Sequence, residues 1–310
     1  MAQEKVLKQP LGFFLIDKPK HITSFFVVKT LRKVLQMKRI GYAGTLDPLA
    51  TGLMIVAVGE ATKLLFDLEH SDKIYDVVIT LGAVSETYDA EGPIHETVIP
   101  ADQEEGAQNR FEKISREQIE KIIQENFSGE RMQVPPRYSA IKIGGKHAYD
   151  LVRKGKEVVL NAKKVNFLDV QVRSFQYPML ECSVHCSAGT YIRSFAHDLG
   201  QILGCGAYVQ ELKRVEIGPH SLEDAVALNT LVPENYERFL QSPEKFLADW
   251  QRCDLTEKEY AFLKHGGFVA NRWQFDRNQI LGMFEGKTVG LLELCEENRS
   301  IKFAKKFILG

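Results

Sequence analysis

The segment Gly41-Tyr42-Ala43-Gly44-Thr45-Leu46-Asp47-Pro48-Leu49-Ala50-Thr51-Gly52 constrains this chain more than any other. Its three glycines supply backbone freedom, and its Asp47-Pro48 step removes it. A proline fixes its own φ and pushes the preceding residue out of right-handed helical geometry, so Asp47 sits on a stiff corner. The apolar run Leu53 to Val58 follows at once and reads as a central strand. The chain therefore places a single carboxylate just before a buried strand, where a stiff corner can aim a nucleophile. Asp-Pro is also a common turn starter, so the dipeptide alone identifies no chemistry.

The rest of the chain has the composition of an ordinary soluble protein. With 310 residues, 44% hydrophobic and 26% charged, it is long enough for one large core and a small second domain. It contains no apolar run of membrane-spanning length, and Met1-Ala2-Gln3-Glu4-Lys5 lacks the order of a signal peptide, which predicts a cytosolic protein. The five cysteines include no Cys-x-x-Cys pair, so reduced thiols are expected. In Cys182-Ser183-Val184-His185-Cys186 an extended strand would turn His185 away from both cysteines, which argues against a metal site.

The net charge is −1, yet the charges are segregated. Arg131 to Lys164 holds nine basic and two acidic residues, a net of +7, and Lys29 to Arg39 holds five basic residues and no acid. Such segregation suits a protein that turns one face towards a polyanion.

Along the chain, Gly12 to Ile16 reads as a buried strand that closes on the turn Asp17-Lys18-Pro19. Ser24 is the expected cap of a helix whose core stripe is Val28, Leu31 and Leu35, with Lys29, Arg32, Lys33 and Arg39 largely off that line. Glu60 to Leu68 is predicted as a short helix. Tyr75, Val77, Ile79 and Leu81 alternate with polar or smaller partners, as in a half-buried strand. Residues from about Thr97 to Phe111 read as a surface insertion, and Ser115 with Gln118 as a capping box. Val134-Pro135-Pro136-Arg137-Tyr138-Ser139-Ala140-Ile141-Lys142, then Gly144-Gly145-Lys146 and Arg153, form a stiff-ended segment with a flexible middle. Its cations and tyrosine suit a flap over a phosphate backbone. Two more alternating strands, Val165 to Val172 and Leu180 to Cys186, precede Ser187 to Arg193. There Thr190 is the expected cap of a helix with the stripe Ile192, Phe195, Ala196, Leu199 and Leu203. An arginine beside a helix N-terminus, Arg193, favours an anion; His197 is left to the surface or to supporting contacts. From about Val232 the sequence breaks into short apolar runs that fit a small barrel.

The dodecamer around Asp47 resembles the signature of the TruB family of tRNA pseudouridine synthases, and further motifs match it in order from about Gly12 to Gly218. The resemblance implies an α+β pseudouridine-synthase fold: a central mixed, mainly antiparallel curved sheet flanked by helices, then a small C-terminal β-barrel of the PUA type. Residues 1–231 would form the catalytic domain, with an RNA-contacting thumb at about 127–158, and 232–310 the PUA-like RNA-binding domain. It implies that Asp47 is catalytic, that Tyr75 packs on the uridine, that Arg193 pairs with Asp47, and that Leu212 closes the base pocket. The turn containing Lys18 would orient the loop. Arg137, Tyr138, Lys142, Lys146 and Arg153 would belong to the thumb that pinches an RNA stem-loop. Family members commonly carry a histidine where this chain has Tyr42; a tyrosine can stack in that space but carries no positive charge.

The implied reaction isomerises uridine to pseudouridine at position 55 in the TΨC loop of tRNA, after the base is flipped out of its stack. It involves no net redox change and no carried group, so no metal or cofactor is expected, and the sequence has neither a Rossmann fingerprint nor a Walker loop. The expected partner is tRNA, the expected state a monomer. Two alternatives remain: a tRNA-folding factor in which catalysis is secondary, and a guide-RNA-dependent synthase subunit. The long basic thumb favours a stand-alone enzyme over the latter. A glycosidic-bond hydrolase would need a second carboxylate across the bond, and the sequence singles out none.

Overall fold

The computed structural model describes residues 10–97 and 114–309. The acidic stretch at 97–111 lies, beyond Thr97, outside the described residues. The N-terminal leader does too.

The first strand, β1 (Gly12–Lys18), is buried along nearly its whole length because both of its faces are covered. Helix α1 (Ser24–Val34) follows, then β2 (Ile40–Ala43) and β3 (Thr51–Val58). Next come β4 (Lys73–Leu81), helix α2 (Arg116–Asn126), β5 (Gly129–Gln133), β6 (Lys163–Gln176) and β7 (Met179–Cys186). Helix α3 (Ile192–Leu203), β8 (Ala207–Ile217) and β9 (Val226–Ala227) complete the main sheet region. The sheet runs β9-β1-β3-β8-β4-β7-β6-β5, with β2 paired to β3 off this path. Only β9 with β1 and β3 with β8 are parallel pairs; the rest are antiparallel.

The edge of β3 facing β8 decides where the site forms. Its C-terminal half pairs with β2, from Ile40 opposite Val58 to Ala43 opposite Ile55, whereas its first two residues pair with Lys213 and Arg214 of β8. The segment 44–50 therefore loops out where β3 exchanges one partner for another. Gly52 is required at this crossing: its φ is +99° and a Cβ there would lie 2.3 Å from the Arg214 carbonyl oxygen.

Helices α1, α2 and α3 cover one face of the sheet, burying Val28, Leu31, Ile123, Phe195 and Leu199 against Phe14, Ile16, Val56, Val77 and Ile79. On the other face, Phe13, Leu15, Leu53 and Ile55 pack against Phe246, Trp250, Leu281, Leu291 and Phe307. The last three belong to a five-stranded C-terminal sheet, a curled half-barrel. It is built from β10 (Gln251–Asp254), β11 (Val269–Ala270), β12 (Ile280–Phe284), β13 (Lys287–Cys295) and β14 (Ser300–Leu309), in the order β10-β12-β13-β14-β11. A buried apolar seam joins it to the main sheet, and an ion pair from Lys305 Nζ to Asp67 Oδ2, 2.5 Å, ties it to the segment that follows β3.

Three local expectations are corrected. Thr23, rather than Ser24, caps α1 by accepting from the Phe26 N–H at 3.1 Å, while Ser24 turns inward. Tyr191, rather than Thr190, is the cap residue of α3, and its backbone is held by a side chain from β5 instead of a hydroxyl. Glu60 to Leu68 divides into a 3₁₀ turn, Gly59–Leu64, and a short helix, Leu65–Glu69. The Ser115–Gln118 capping box is present. Cys182, Val184 and Cys186 share a buried face, and burial pushes both thiols up to about 12, so they are protonated core residues.

Candidate active site

The Asp47 loop is held from three sides. Ser24 Oγ donates to the Leu46 carbonyl at 2.9 Å and accepts from the Leu46 N–H at 2.8 Å. Lys18, fully buried, donates from Nζ to the carbonyls of Ile22 at 2.8 Å, Pro19 at 3.0 Å and Pro48 at 3.4 Å, and the His21 N–H also reaches Pro48 O at 2.8 Å. Arg214, almost fully buried, donates from Nη2 to Gly44 O at 3.1 Å and from Nε to Leu53 O at 2.8 Å, clamping both ends of the excursion. Leu46, Leu49 and Ala50 are driven into the core, which leaves the Asp47 carboxylate pointing out with 34% of its side chain exposed. Burial lowers the Lys18 ammonium to about 8, with the Asp47 charge opposing that shift.

Opposite stands Arg193, from the first turn of α3, with only 5% of its side chain exposed. Its Nη2 donates to Asp47 Oδ1 at 3.0 Å, and its Nε lies 2.9 Å from Asp47 Oδ2, close enough for an ion pair although that N–H lacks hydrogen-bond alignment. Nη1 donates to the Thr87 carbonyl and Nη2 to the Tyr138 carbonyl, each at 3.0 Å. The start of α3 is fixed by Gln133 of β5, whose side chain accepts from the Tyr191 N–H at 2.8 Å and donates to its carbonyl at 3.1 Å. Arg193 thus lies off the helix's apolar stripe, as its position in the sequence implies, and is nevertheless buried.

A second carboxylate was not singled out by the sequence. Asp89 Oδ2 lies 3.7 Å from Arg193 Nε, in a side chain only 3% exposed, so one guanidinium faces two acids. Asp89 accepts from Thr87 Oγ1 at 2.5 Å and from the Glu91 N–H at 3.0 Å. It is presented by a bend in which Tyr88 has φ +64° and stacks on His197 at 3.9 Å, while Ala90 and Val209 bridge the bend to β8. Nothing in the local pattern of Ser85 to Gly92 marks this residue, because its partner comes from a distant helix. Arg214 did carry a signal: it shares strand parity with the pocket residue Leu212, so it had to point inward.

Beside Asp47 opens a cavity of about 300 Å³ whose lining includes Tyr75, Tyr191, Leu212, Arg214 and Arg193. Tyr75 is buried, which raises its phenol's pKa against a hydrogen bond from Arg214. Tyr42 lies outside the lining; it is half-buried on β2, its hydroxyl 3.4 Å from Thr45 Oγ1. A larger cleft of about 540 Å³ shares Leu212 but is lined chiefly by Lys20, Asp76, Arg173, Glu181, Glu211 and Lys213 and does not reach Asp47. Chemistry therefore favours the smaller cavity. Ser139, Ala140 and Ile141 close one side of it, placing the predicted thumb at its rim. Beyond them, Lys142–Ile143 pairs with Lys146–His147 across Gly144-Gly145, both at positive φ, and a short helix, Ala148–Arg153, follows. Arg137, Lys142, Lys146 and Arg153 are exposed and, among the described residues, form no ion pair; Tyr138 is half-buried.

Two family models match the chain: the N-terminal domain of TruB family pseudouridylate synthase over residues 32–192, and the tRNA pseudouridylate synthase B C-terminal domain over residues 193–247. The chain is 37% identical over 294 residues to a Clostridium tetani protein called tRNA pseudouridine synthase B, covering 94% of this chain and 98% of that one. A Fusobacterium nucleatum protein of the same name is 36% identical over 301 residues, covering 96% and 99%. Two solved structures share the fold. A chain of an H/ACA RNP bound to a substrate RNA containing 2′-deoxyuridine has a TM-score of 0.65 at 21% identity, over 96% of this chain and 84% of that one. A chain of a Cbf5-Nop10-Gar1 complex has a TM-score of 0.68 at 23% identity, over the same shares of 96% and 84%. Fold and matches together define a pseudouridine synthase, an isomerase of RNA uridines. Within that class, the chain belongs to the TruB family.

Proposed function

We propose that this enzyme converts one uridine in the TΨC loop of tRNA, position 55, into pseudouridine, with Asp47 as its catalytic residue and the target base flipped into the cavity beside it. The observation that carries the reading is the Asp47–Arg193 pair at the mouth of a cavity walled by Tyr75 and Leu212. Arg193 orients the carboxylate through a two-point contact. Tyr75 offers a ring to the base and Leu212 an apolar wall, which suits a nucleobase removed from its stack. In the reaction the C1′–N1 bond breaks, the base turns, C1′ bonds to C5, and the C5 proton is lost while N1 gains one. Atoms and electrons balance without a cofactor. A carboxylate beside the ribose can add to C1′, add to C6 of the base, or take the C2′ proton; each route needs Asp47 ionised.

The names of the relatives support tRNA as substrate. Residues 1–231 are proposed as the catalytic part, with the unpaired cations of the thumb at about 127–158 closing on the stem-loop backbone. Residues 232–310 are proposed as a PUA-like RNA-binding part. The test is incubation of the wild type and Asp47→Asn with unmodified tRNA transcripts, without guide RNA, followed by chemical mapping. Pseudouridine at one T-loop position with the wild type, and none with Asp47→Asn, is expected. Tight binding by both proteins without product from either would refute the enzyme assignment for tRNA and leave a folding factor.

A further inference from the structure

Helix α1 has two faces of opposite character. Ser24, Val27, Val28 and Leu31 are buried, while Phe25, Phe26, Lys29, Arg32 and Lys33 form one exposed stripe at helical spacing. Phe25 is 56% and Phe26 48% exposed, an unusual placement for two adjacent phenylalanines in a helix whose opposite face is well packed. The Arg32 guanidinium lies 5.7 Å from the Phe25 ring centre, and Lys29 and Lys33 form no ion pair among the described residues. From Lys18 to Leu46 the chain contains no acidic residue.

An apolar protein partner would be met by a continuous greasy patch. Here the two rings are followed along the helix by cations, the combination that stacks bases and tracks phosphates on a single strand. The stripe is also wired to the site, since Ser24, next to Phe25, holds Leu46, next to Asp47. The thumb reaches the same ion pair from the other partner, through the Tyr138 carbonyl on Arg193. Both α1 and the thumb are thus tied by hydrogen bonds to the two partners of the Asp47–Arg193 pair.

We propose that the exposed stripe of α1 is a second RNA-contacting surface, on which Phe25 and Phe26 stack unpaired bases while Lys29, Arg32 and Lys33 meet the adjoining phosphates. This rests on the RNA-modifying function proposed above. Full-length tRNA transcript is the probe, with affinity, its salt dependence and steady-state pseudouridine formation as readouts. The Phe25→Ala/Phe26→Ala double variant is expected to raise Kd and KM about tenfold or more, because each stacked base is lost to a methyl group. Turnover at saturating RNA should stay within about twofold, and Phe25→Trp should keep the affinity. Lys29→Ala/Lys33→Ala should flatten the plot of log affinity against log salt by about 1.5. Lys121→Ala, at an exposed lysine of α2, should change neither value. In the wild type, a transcript carrying 4-thiouridine should photo-crosslink to the peptide 24–34, which needs no variant to fold.

Unchanged affinity and salt slope in both double variants, with no crosslink to 24–34, would overturn the proposal. Lost turnover at unchanged affinity would also overturn it, because α1 would then act only through the Asp47 loop. A wild type that binds tRNA but makes no pseudouridine refutes the proposed function instead, and leaves the binding and crosslinking readouts of α1 intact.

Discussion

Ser24→Ala is the sharpest perturbation, because one buried hydroxyl satisfies two backbone groups of the residue beside Asp47. Alanine fits the space but leaves the Leu46 N–H and C=O without that partner in a water-poor site. An unsatisfied buried polar group costs about 1–3 kcal/mol, so two put the loss at about 2–4 kcal/mol once partial relaxation is allowed. For a chain of this size that is a fall in Tm of roughly 3–6 °C. The consequence for turnover is separate. Freed from Ser24, the loop loses one of its three anchors, and a carboxylate displaced by about 1 Å costs up to about a hundredfold in rate. We expect kcat to fall tenfold or more with KM within about threefold, measured by pseudouridine formation in tRNA alongside thermal unfolding. Thr23→Ala is the companion, since it removes a hydroxyl from the same turn but only the helix cap, worth about 1 kcal/mol, and should leave kcat alone. Unchanged Tm and kcat in Ser24→Ala would refute the anchoring role. So would an equal loss of kcat in Thr23→Ala, since capping would then explain both.

Arg193→Lys keeps a charge but cannot serve two carboxylates and two carbonyls with one nitrogen; kcat should drop about a hundredfold or more while RNA affinity changes little, as single-turnover kinetics and filter binding would reveal. Asp89→Asn keeps the contacts to Thr87 and Glu91 but removes one of the charges facing Arg193, and should lower kcat about tenfold with KM held; a wild-type rate would assign Asp89 a purely structural part. Lys18 sets a pH dependence. The unfolded chain holds this proton up to about 10.5 and the folded chain only to about 8, so unfolding takes up a proton between these values and stability rises with pH through that window. Urea melts from pH 7.5 to 10.5 should show wild-type stability gaining up to about 3 kcal/mol relative to Lys18→Met; parallel curves would contradict the buried charge. Gly52→Ala should destabilise by more than about 2 kcal/mol, because its Cβ would meet the Arg214 carbonyl at 2.3 Å at a φ of +99°; an unchanged Tm would count against the tight crossing of β3 and β8.

Much of this molecule was legible from one-dimensional pattern. Alternation at Tyr75 to Leu81 and Leu180 to Cys186 gave both the strands and their buried faces, since a strand's side chains must alternate whatever lies beside it. The Asp47-Pro48 corner, the capping box at Ser115 and the glycine-bent hairpin at 142–147 are equally local. The two misplaced caps show where that logic ends. Ser24 and Thr190 have the right chemistry at the right spacing, but Ser24 had a better use in Leu46, and β5 supplied Gln133 where Thr190 was expected to serve.

Residue types, their local spacing and their resemblance to a family singled out Asp47 and Arg193 and implied their pairing, because a signature written in consecutive residues survives without coordinates. Tertiary structure alone decided that Arg193 is buried, that Asp89 shares it, that Arg214 joins Lys18 in holding the loop, and that two phenylalanines of α1 face outward. Each of these depends on residues far apart in sequence meeting where β3 changes partner. Burial, and the electrostatics that follow from it, are properties of that meeting and not of any segment alone.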